Sequence, residues 1–226
     1  MKEIPILFST PMVQAIIADR KTETRRTSGL DEINKNPDDW EIDYVGKYWT
    51  NSKGYQVECL WISFGDPKKD ITQNINIKCP YGKPGDLLWV RETFVDIHDQ
   101  TNCWLYKGYE MFNGMETFDW KWKPSIHMPK AAARIWLKVT DIKVERLEDI
   151  TETSAIAEGV QIGKGLDNSN WYLDYQTNLF QLYKAKSSFN TLWRKINGED
   201  SYNSNPWVWV VKFEVASKNG KPIINL

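Results

Sequence analysis

The chain has 226 residues, of which 29 are basic and 30 acidic, so its formal net charge is -1. Such a balance excludes a general electrostatic attraction to nucleic acid, and any contact with it must come from a local patch. A hydrophobic fraction of 41% can build a sizeable core, and no run approaches the roughly 20 apolar residues that span a bilayer. We therefore expect a globular, cytoplasmic protein without a membrane span.

The cysteines and tryptophans indicate which kinds of site and core to expect. Cys59, Cys79 and Cys103 are far apart and form no C-x-x-C pair. An odd and scattered set argues against both a disulfide framework and a zinc site. We expect free core thiols, no metal and no cofactor. The 12 tryptophans predict an aromatic core, with base-stacking positions as the alternative.

A short strand and a short helix are the first predicted elements. The apolar run Ile4–Phe8 predicts a strand, and its Pro5 favours an edge position. A helix is predicted from Pro11 to Ala18, because a Ser-Thr-Pro start precedes an apolar stripe at helical spacing. The polar segment Ser28–Asp43 is predicted to be a surface loop or an insertion.

Strand patterns dominate the rest of the chain. Predicted strands are Tyr44–Thr50, Tyr55–Phe64, Leu87–Val95, Arg134–Arg146 and Pro206–Val215, and predicted helices are Leu147–Ala157 and Leu179–Ile196. We find no repeat and no convincing linker, which favours one domain over residues 1–226. Mostly strands with three interspersed helices predict a mixed α+β fold, a small barrel without alternating βαβ units.

A dense polar cluster, residues 20–26, follows the first helix. A loop placed by a packed helix is a common home for chemistry. The alternative interpretation is a solvated basic helix end that interacts favourably with the helix dipole.

At Asp19-Arg-Lys-Thr-Glu-Thr-Arg-Arg26 the chain resembles the ASCH family of the PUA-like superfamily, whose hallmark is G-x-K-x-x-E-x-R after the first helix. Lys21 and Arg26 match this pattern, whereas Asp19 replaces the usual Gly and Thr24 the usual Glu. Aspartate tolerates a left-handed backbone better than most residues, so the first departure is mild. The resemblance implies a PUA-like β-barrel with about three helices.

The sequence R-K-T-x-T is similar to that of small ASCH proteins that look like N4-acetylcytidine amidohydrolases. This resemblance implies a catalytic set of Lys21, Thr24 and Glu158, the last from the segment Leu147–Glu158. A closer overall likeness is to longer ASCH proteins encoded by phages and prophages, which share P-I-L-F-S-T-P-M, K-P-S-I-H-M-P and N-P-W-V-W-V. Compared with the small enzymes, the chain carries insertions around 28–80, 96–130 and 160–178.

The implied chemistry is attack by Thr24 on an acetamide-type carbonyl. A hydroxyl needs an adjacent base, and Lys21 could serve if burial or nearby positive charge lowers its pKa. Glu158 would orient the lysine or shuttle a proton to the leaving amine. Taken singly, Thr24 could simply be a strand residue and Glu158 an exposed helical acid.

Further candidates for contact with a ligand or nucleic acid are Arg25, Arg26, Trp89, Arg91, Glu92, Trp122, Ser125 and His127. Arg91 and Glu92 either form a cross-strand ion pair or hold a base edge. His127, in a proline-bounded loop, is structural, exposed or ligand-binding. Trp89 and Trp122 either belong to the core or stack on bases.

The sequence, together with its resemblance to the ASCH family, leads to three hypotheses. The leading one is a protein that binds a nucleoside or a modified base of single-stranded RNA and hydrolyses an N4-acylcytidine-type amide. The alternative is a non-catalytic module that binds RNA or a modified nucleotide. The third is a phage interaction protein whose insertions bind a host or phage protein.

Overall fold

The computed structural model describes residues 1–50, 52–69, 74–97, 104–108 and 120–223, and shows a mixed α+β fold. Its strands are β1 (Glu3–Leu7), β2 (Glu23–Arg26), β3 (Glu41–Thr50), β4 (Gln56–Gly65), β5 (Ile75–Lys78), β6 (Leu87–Arg91), β7 (Phe94–Asp96), β8 (Trp104–Tyr106), β9 (Trp136–Arg146), β10 (Ile162–Lys164), β11 (Asn170–Asp174), β12 (Leu179–Leu182) and β13 (Trp207–Ser217). Its α-helices are α1 (Thr10–Ile17), α2 (Glu152–Ala157), α3 (Ala185–Asn197) and α4 (Glu199–Asn203). None of these described helices combines the length and the apolar character needed to cross a membrane.

The centre of the fold is a five-stranded sheet in the order β1-β6-β9-β13-β2. β1 and β6 are parallel, and every other neighbouring pair in this sheet is antiparallel. The predicted edge position of Pro5 is confirmed, because β1 is an outer strand. Smaller sheets are formed by β3-β4-β5, by β10-β11-β12 and by β7-β8.

The described strands do not close into a barrel through backbone pairing. The outer strands β1 and β2 are each paired on one side. A side chain joins them, because Arg26 Nη2 donates to Leu7 O at 2.8 Å. The five-stranded sheet is thus open in its backbone hydrogen bonds but bridged between its two edges.

Apolar clusters cover both faces of the central sheet. Trp209 and Val211 of β13 lie in the cluster that includes two buried apolar residues of α1, whereas Val208 and Val210 lie in the cluster that includes buried apolar residues of α2 and α3. Successive strand residues point to opposite faces, so this alternation shows that β13 is buried on both sides. Its neighbour β2 is consequently placed between two cores.

Three predictions about elements need correction. The segment Ser28–Asp43 is not simply a surface loop, because Leu30 and Ile33 are fully buried in the first cluster. The helix predicted over Leu179–Ile196 begins only at Ala185, since residues 179–182 pair with β11 as a strand. The strand predicted over Leu87–Val95 is interrupted, because β6 ends at Arg91 and Phe94 begins β7 in a different sheet. The structure also contains α4, a short helix that the sequence patterns did not indicate.

The described cysteines lie in the core as free thiols. Cys59 and Cys79 are both buried, and burial raises the pKa of Cys79 to about 12. Cys103 lies outside the described residues, as do parts of the predicted insertion around 96–130.

Candidate functional site

The chain leaves α1 through a left-handed turn at Asp19. This residue has φ 54°, and the amides of Arg20 and Lys21 both donate to Ala15 O, at 2.8 and 3.1 Å. Lys218 Nζ fixes the turn by donating to the last helical carbonyl and to Asp19 Oδ1. Aspartate tolerates this left-handed backbone better than most residues. Lys21, which follows the turn, is only 1% exposed.

Residues 20–22 cap the carbonyl groups at the end of α2. The contacts are Arg20 Nη1 to Gly159 O at 2.7 Å, Lys21 Nζ to Glu158 O at 2.8 Å, and Thr22 N to Ala157 O at 2.8 Å. Three consecutive residues therefore satisfy three consecutive carbonyls. Two of the donors are cations, which the negative end of a helix favours.

Gly159 allows this close approach. Its φ is 91°, a backbone conformation that residues other than glycine rarely adopt. A Cβ at this position would lie 3.0 Å from the Cβ atoms of both Ala15 and Lys21. Both the backbone conformation and the available space thus require glycine here.

Lys21 Nζ is surrounded by three acceptors. It donates to Glu158 Oε2 at 2.7 Å, to Glu158 O at 2.8 Å and to Glu23 O at 2.9 Å. An ammonium group has three N–H donors, and these contacts use all of them. Burial lowers the pKa of Lys21, while the charge of Glu158 and its hydrogen bond oppose that shift. Opposing effects of this kind make the protonation of Lys21 sensitive to its surroundings.

Arg25 links Glu158 to two further carboxylates. Its Nη1 lies 3.2 Å from Glu158 Oε1 and 2.8 Å from Glu23 Oε1, and its Nη2 lies 2.6 Å from Glu145 Oε1. Burial alone would lower the pKa of Arg25, but the three carboxylates outweigh it and raise that pKa. The positive charges of Lys21 and Arg25 are therefore neutralised by side chains of the protein itself.

Thr24 lies on β2 among these charged residues and is 1% exposed. The register of the sheet pairs Thr24 with Val211 and Arg25 with Val210. Because successive strand residues point to opposite faces, Thr24 and Arg26 share the face of the first apolar cluster. Arg25 points to the other face, where its guanidinium lies 5.7 Å from the Phe189 ring centre.

Lys21, Thr24 and Glu158 line one cavity of about 210 Å³. Hydroxyl and cationic groups of residues 25–28 continue its polar side, and residues of α3 supply its apolar side. The apolar residues of α3 in this wall recur at helical spacing and are Phe189, Leu192, Trp193 and Ile196. An apolar, partly aromatic wall combined with a few polar groups is the usual composition of a small-molecule site.

A second, larger cavity of about 400 Å³ adjoins the first. Both cavities are lined by Met12, Glu158, Leu192 and Ile196. Arg20 and Lys195 contribute to the second cavity only. Glu158 therefore stands at the boundary between the two.

Arg26 is the second predicted ligand-binding arginine that lines the first cavity. Its guanidinium lies 5.0 Å from the centre of the Phe8 ring and donates to Leu7 O. Burial lowers the pKa of Arg26. Among the described residues, the buried Arg26 Nε has no hydrogen-bond partner. A buried donor without a partner is uncommon in folded proteins.

The remaining predicted ligand-binding residues lie around β6 and residues 122–127. Trp89 packs in the apolar cluster with Trp136, as its core interpretation predicts. The predicted ion pair between Arg91 and Glu92 is wrong. Glu92 instead binds Arg134 through two hydrogen bonds of 2.9 and 2.8 Å, and Arg91 donates to a backbone carbonyl, Ile126 O.

Trp122, Ser125 and His127 are also placed away from the Lys21 cavity. Ser125–His127 forms a single 3-10 turn, in which His127 is exposed. Trp122 and Ser125 are half-buried. The structure thus brings together the three predicted catalytic residues with Arg25 and Arg26, and leaves the other six predicted residues elsewhere.

Sequence reasoning missed the α3 wall and two of the acidic residues. The apolar periodicity of residues 189–196 was visible, but it predicts a core helix equally well. Glu23 and Glu145 carry no distinguishing pattern, because their role depends on contacts with Arg25 across the sheet.

Neither a metal cluster nor a known relative identifies this site. Within the described ranges, no group of three or more His, Cys, Asp or Glu side chains is arranged to hold a metal ion. No protein-family model, curated protein or solved structure matches the chain.

Proposed function

We propose that this chain is an ASCH-type protein with a PUA-like fold that binds a modified cytosine base and hydrolyses its N4-acyl amide. One observation carries the proposal. Lys21 and Glu158, separated by 137 residues in sequence, form a buried contact of 2.7 Å, and Thr24 lines the same cavity. Any one of these three residues alone would be unremarkable. Their presence in the same cavity supports the proposal.

The sheet supports a PUA-like interpretation of the fold. Its outer strands β1 and β2 approach closely enough for Arg26 Nη2 to reach Leu7 O at 2.8 Å. An open sheet with well-separated edges does not permit such a contact, whereas a strongly curved, barrel-like sheet does. We take the Arg26 bridge as the closure of an incomplete barrel.

The proposed reaction begins with the attack of Thr24 Oγ1 on the acyl carbon. The hydroxyl proton passes to the Lys21–Glu158 pair, in which burial favours the neutral amine of Lys21. Cleavage of the C–N bond requires a proton on N4 of the cytosine, which the same pair returns. Water then hydrolyses the acyl-threonine, so that the products are a carboxylic acid and the free cytosine.

The decisive measurement is release of cytidine from N4-acetylcytidine by the purified protein. We expect Lys21→Ala and Thr24→Val to lower kcat/KM by about 10²-fold or more, the range that a nucleophile or a general base supplies. Thr24→Ser keeps the hydroxyl and should retain much of the activity. Thr140→Val is the matched control, because Thr140 is exposed on β9.

Two outcomes would reject the enzyme. One is the absence of cytidine release from acylated nucleosides and nucleotides. The other is full activity of Lys21→Ala, because this substitution removes the amine of the only pair of groups proposed to move the proton.

A non-catalytic binding module is the second candidate, and the contacts of Lys21 favour it. All three N–H donors of Lys21 are engaged, which is the arrangement of a stable ammonium group and not of a free base. Such a module binds modified nucleotides in a saturable, salt-dependent way without turnover. Loss of binding in Arg26→Gln, with no hydrolysis by the wild type, would establish it.

A further inference from the structure

We infer that the cavity beside the Lys21 site binds a phosphate group, so that the substrate is an acylated cytidine nucleotide instead of the free nucleoside. The identity of the base rests on the proposed function. The inference of an anionic group rests on the second cavity, whose Arg20 and Lys195 take no part in the proposed hydrolysis.

The two cavities are adjacent compartments of one site. They share Glu158 and the apolar side chains of Met12, Leu192 and Ile196. The first cavity, of about 210 Å³, is smaller than the roughly 300 Å³ at which small-molecule sites usually begin. The second, of about 400 Å³, is large enough for the remainder of a nucleotide. A ligand with its acyl group beside Thr24 therefore extends past Glu158 into the second cavity.

The two compartments differ in their charge balance. In the first, the cations Lys21 and Arg25 are paired with carboxylates. In the second, Arg20 donates to Gly159 O, and Lys195 donates to Tyr175 O and Asn178 Oδ1. These acceptors are neutral oxygen atoms, and no acidic partner of either cation is found among the residues that the structure describes.

An anionic ligand group fits this imbalance. An Arg20 guanidinium with one bonded Nη1 retains further N–H donors, which suit the oxygen atoms of a phosphate. Lys195 is exposed, so its ammonium group can reorient toward a ligand. Glu158, a carboxylate of the cavity wall, is already bound by Lys21 and Arg25 and repels the phosphate less than a free carboxylate would.

The test compares binding of reaction products, so that it does not depend on turnover. The full chain is titrated with cytidine, cytidine 5′-monophosphate, cytidine 3′-monophosphate and a short single-stranded oligoribonucleotide that contains one cytidine. We expect at least one phosphate-bearing probe to bind roughly tenfold more tightly than cytidine, about the gain that one charge-assisted hydrogen bond provides. The probe that binds best shows whether the phosphate belongs to a free nucleotide or to RNA.

Lys195→Gln should reduce the ratio of the affinity for that probe to the affinity for cytidine to near one. Lys186→Gln is the control, because Lys186 lies on the same helix, is exposed and donates to Glu148 O away from both cavities. It removes the same charge and should leave the preference intact. Equal affinities of the wild type for cytidine and all phosphate-bearing probes would overturn the inference, as would an equal loss in both variants.

Hydrolysis of the acetylated forms of the same probes separates this inference from the proposed function. Turnover without a preference for phosphate supports the hydrolase and rejects the phosphate compartment. A Lys195-dependent preference without turnover supports the compartment and rejects the hydrolase.

Discussion

Two opposing effects act on the protonation state of Lys21. Its three acceptors stabilise the ammonium form, and burial destabilises the same form. Glu158 supplies two of these acceptors and the largest opposing charge, so a ligand that displaces the Glu158 carboxylate promotes loss of the Lys21 proton. Under the proposed function, we therefore expect ligand binding and deprotonation of Lys21 to be linked through the Glu158 carboxylate.

Glu145 also belongs to the charge network of Arg25, at a distance from the atoms of the proposed reaction. Burial raises the pKa of Glu145, but hydrogen bonds from Lys143 and Arg25 outweigh it and lower that pKa overall. The folded-state pKa therefore lies below the unfolded value of about 4.3. The resulting stabilisation is fully present above that unfolded value and is lost as the pH falls through the folded-state pKa.

We expect Glu145→Gln to lower the free energy of unfolding by about 1 kcal/mol at neutral pH, since the carboxylate is partly accessible and screened. Urea unfolding at decreasing pH should show the difference from wild type disappearing in acid. The control is Glu214→Gln, which removes an exposed partner of Lys138 and should change stability little. A difference that persists undiminished in acid would contradict the expectation.

At the scale of secondary-structure elements, the junction between α1 and α2 depends on Gly159. Gly159→Ala introduces a Cβ 3.0 Å from two others and strains a φ of 91°. We expect a loss of about 3 kcal/mol in the free energy of unfolding, from backbone strain and overpacking together. Activity should fall as well, because the clash with Lys21 Cβ moves the amine from Glu158.

Gly54→Ala is the matched control for this element. Gly54 has φ 81° and open space around its missing Cβ. It should lose only about 1 kcal/mol, the cost of the left-handed backbone, with no change in kcat/KM. Thermal or urea unfolding measures the stability of both variants, and the N4-acetylcytidine assay measures their kcat/KM. Equal activity losses in the two variants would show that the junction does not position Lys21.

Local patterns predicted the elements better than their assembly. Alternation in residues 134–146 and 206–215 predicts β9 and β13, and the glycine after Glu158 predicts the end of α2. The pairing order and the buried segment around Leu30 could not be predicted, because both depend on contacts distant in sequence. For the same reason, Lys21 and Thr24 could be singled out by their motif, whereas the α3 wall looked like ordinary core.

At the scale of the whole molecule, the segment before β3 completes the edge of the central sheet. Asn34 Nδ2 donates to Trp207 O at 3.0 Å, and Trp207 N donates to Asn34 Oδ1 at 2.7 Å. The Asn34 side chain thus pairs with the start of β13, beyond the point where β2 ends. It substitutes for a strand residue that the chain does not supply there.

Asn34→Ala removes both of these hydrogen bonds. We expect the free energy of unfolding to fall by about 2 kcal/mol, since polar backbone groups of the buried Trp207 lose their partners. Asn36→Ala is the control, because Asn36 is exposed and its side chain makes no capping hydrogen bond. Denaturant unfolding measures both variants, and a near-zero effect at Asn34 would mean that water replaces the amide.

The pairing of residues 20–22 with residues 157–159 also has a consequence for the order of folding. The Lys21–Glu158 contact spans 137 residues, so a nascent chain that ends before residue 158 holds Lys21 without its carboxylate partner. Closing so long a loop costs conformational entropy that only the assembled sheet and helices offset. We therefore expect the buried Lys21–Glu158 contact to form only in chains that extend past residue 158.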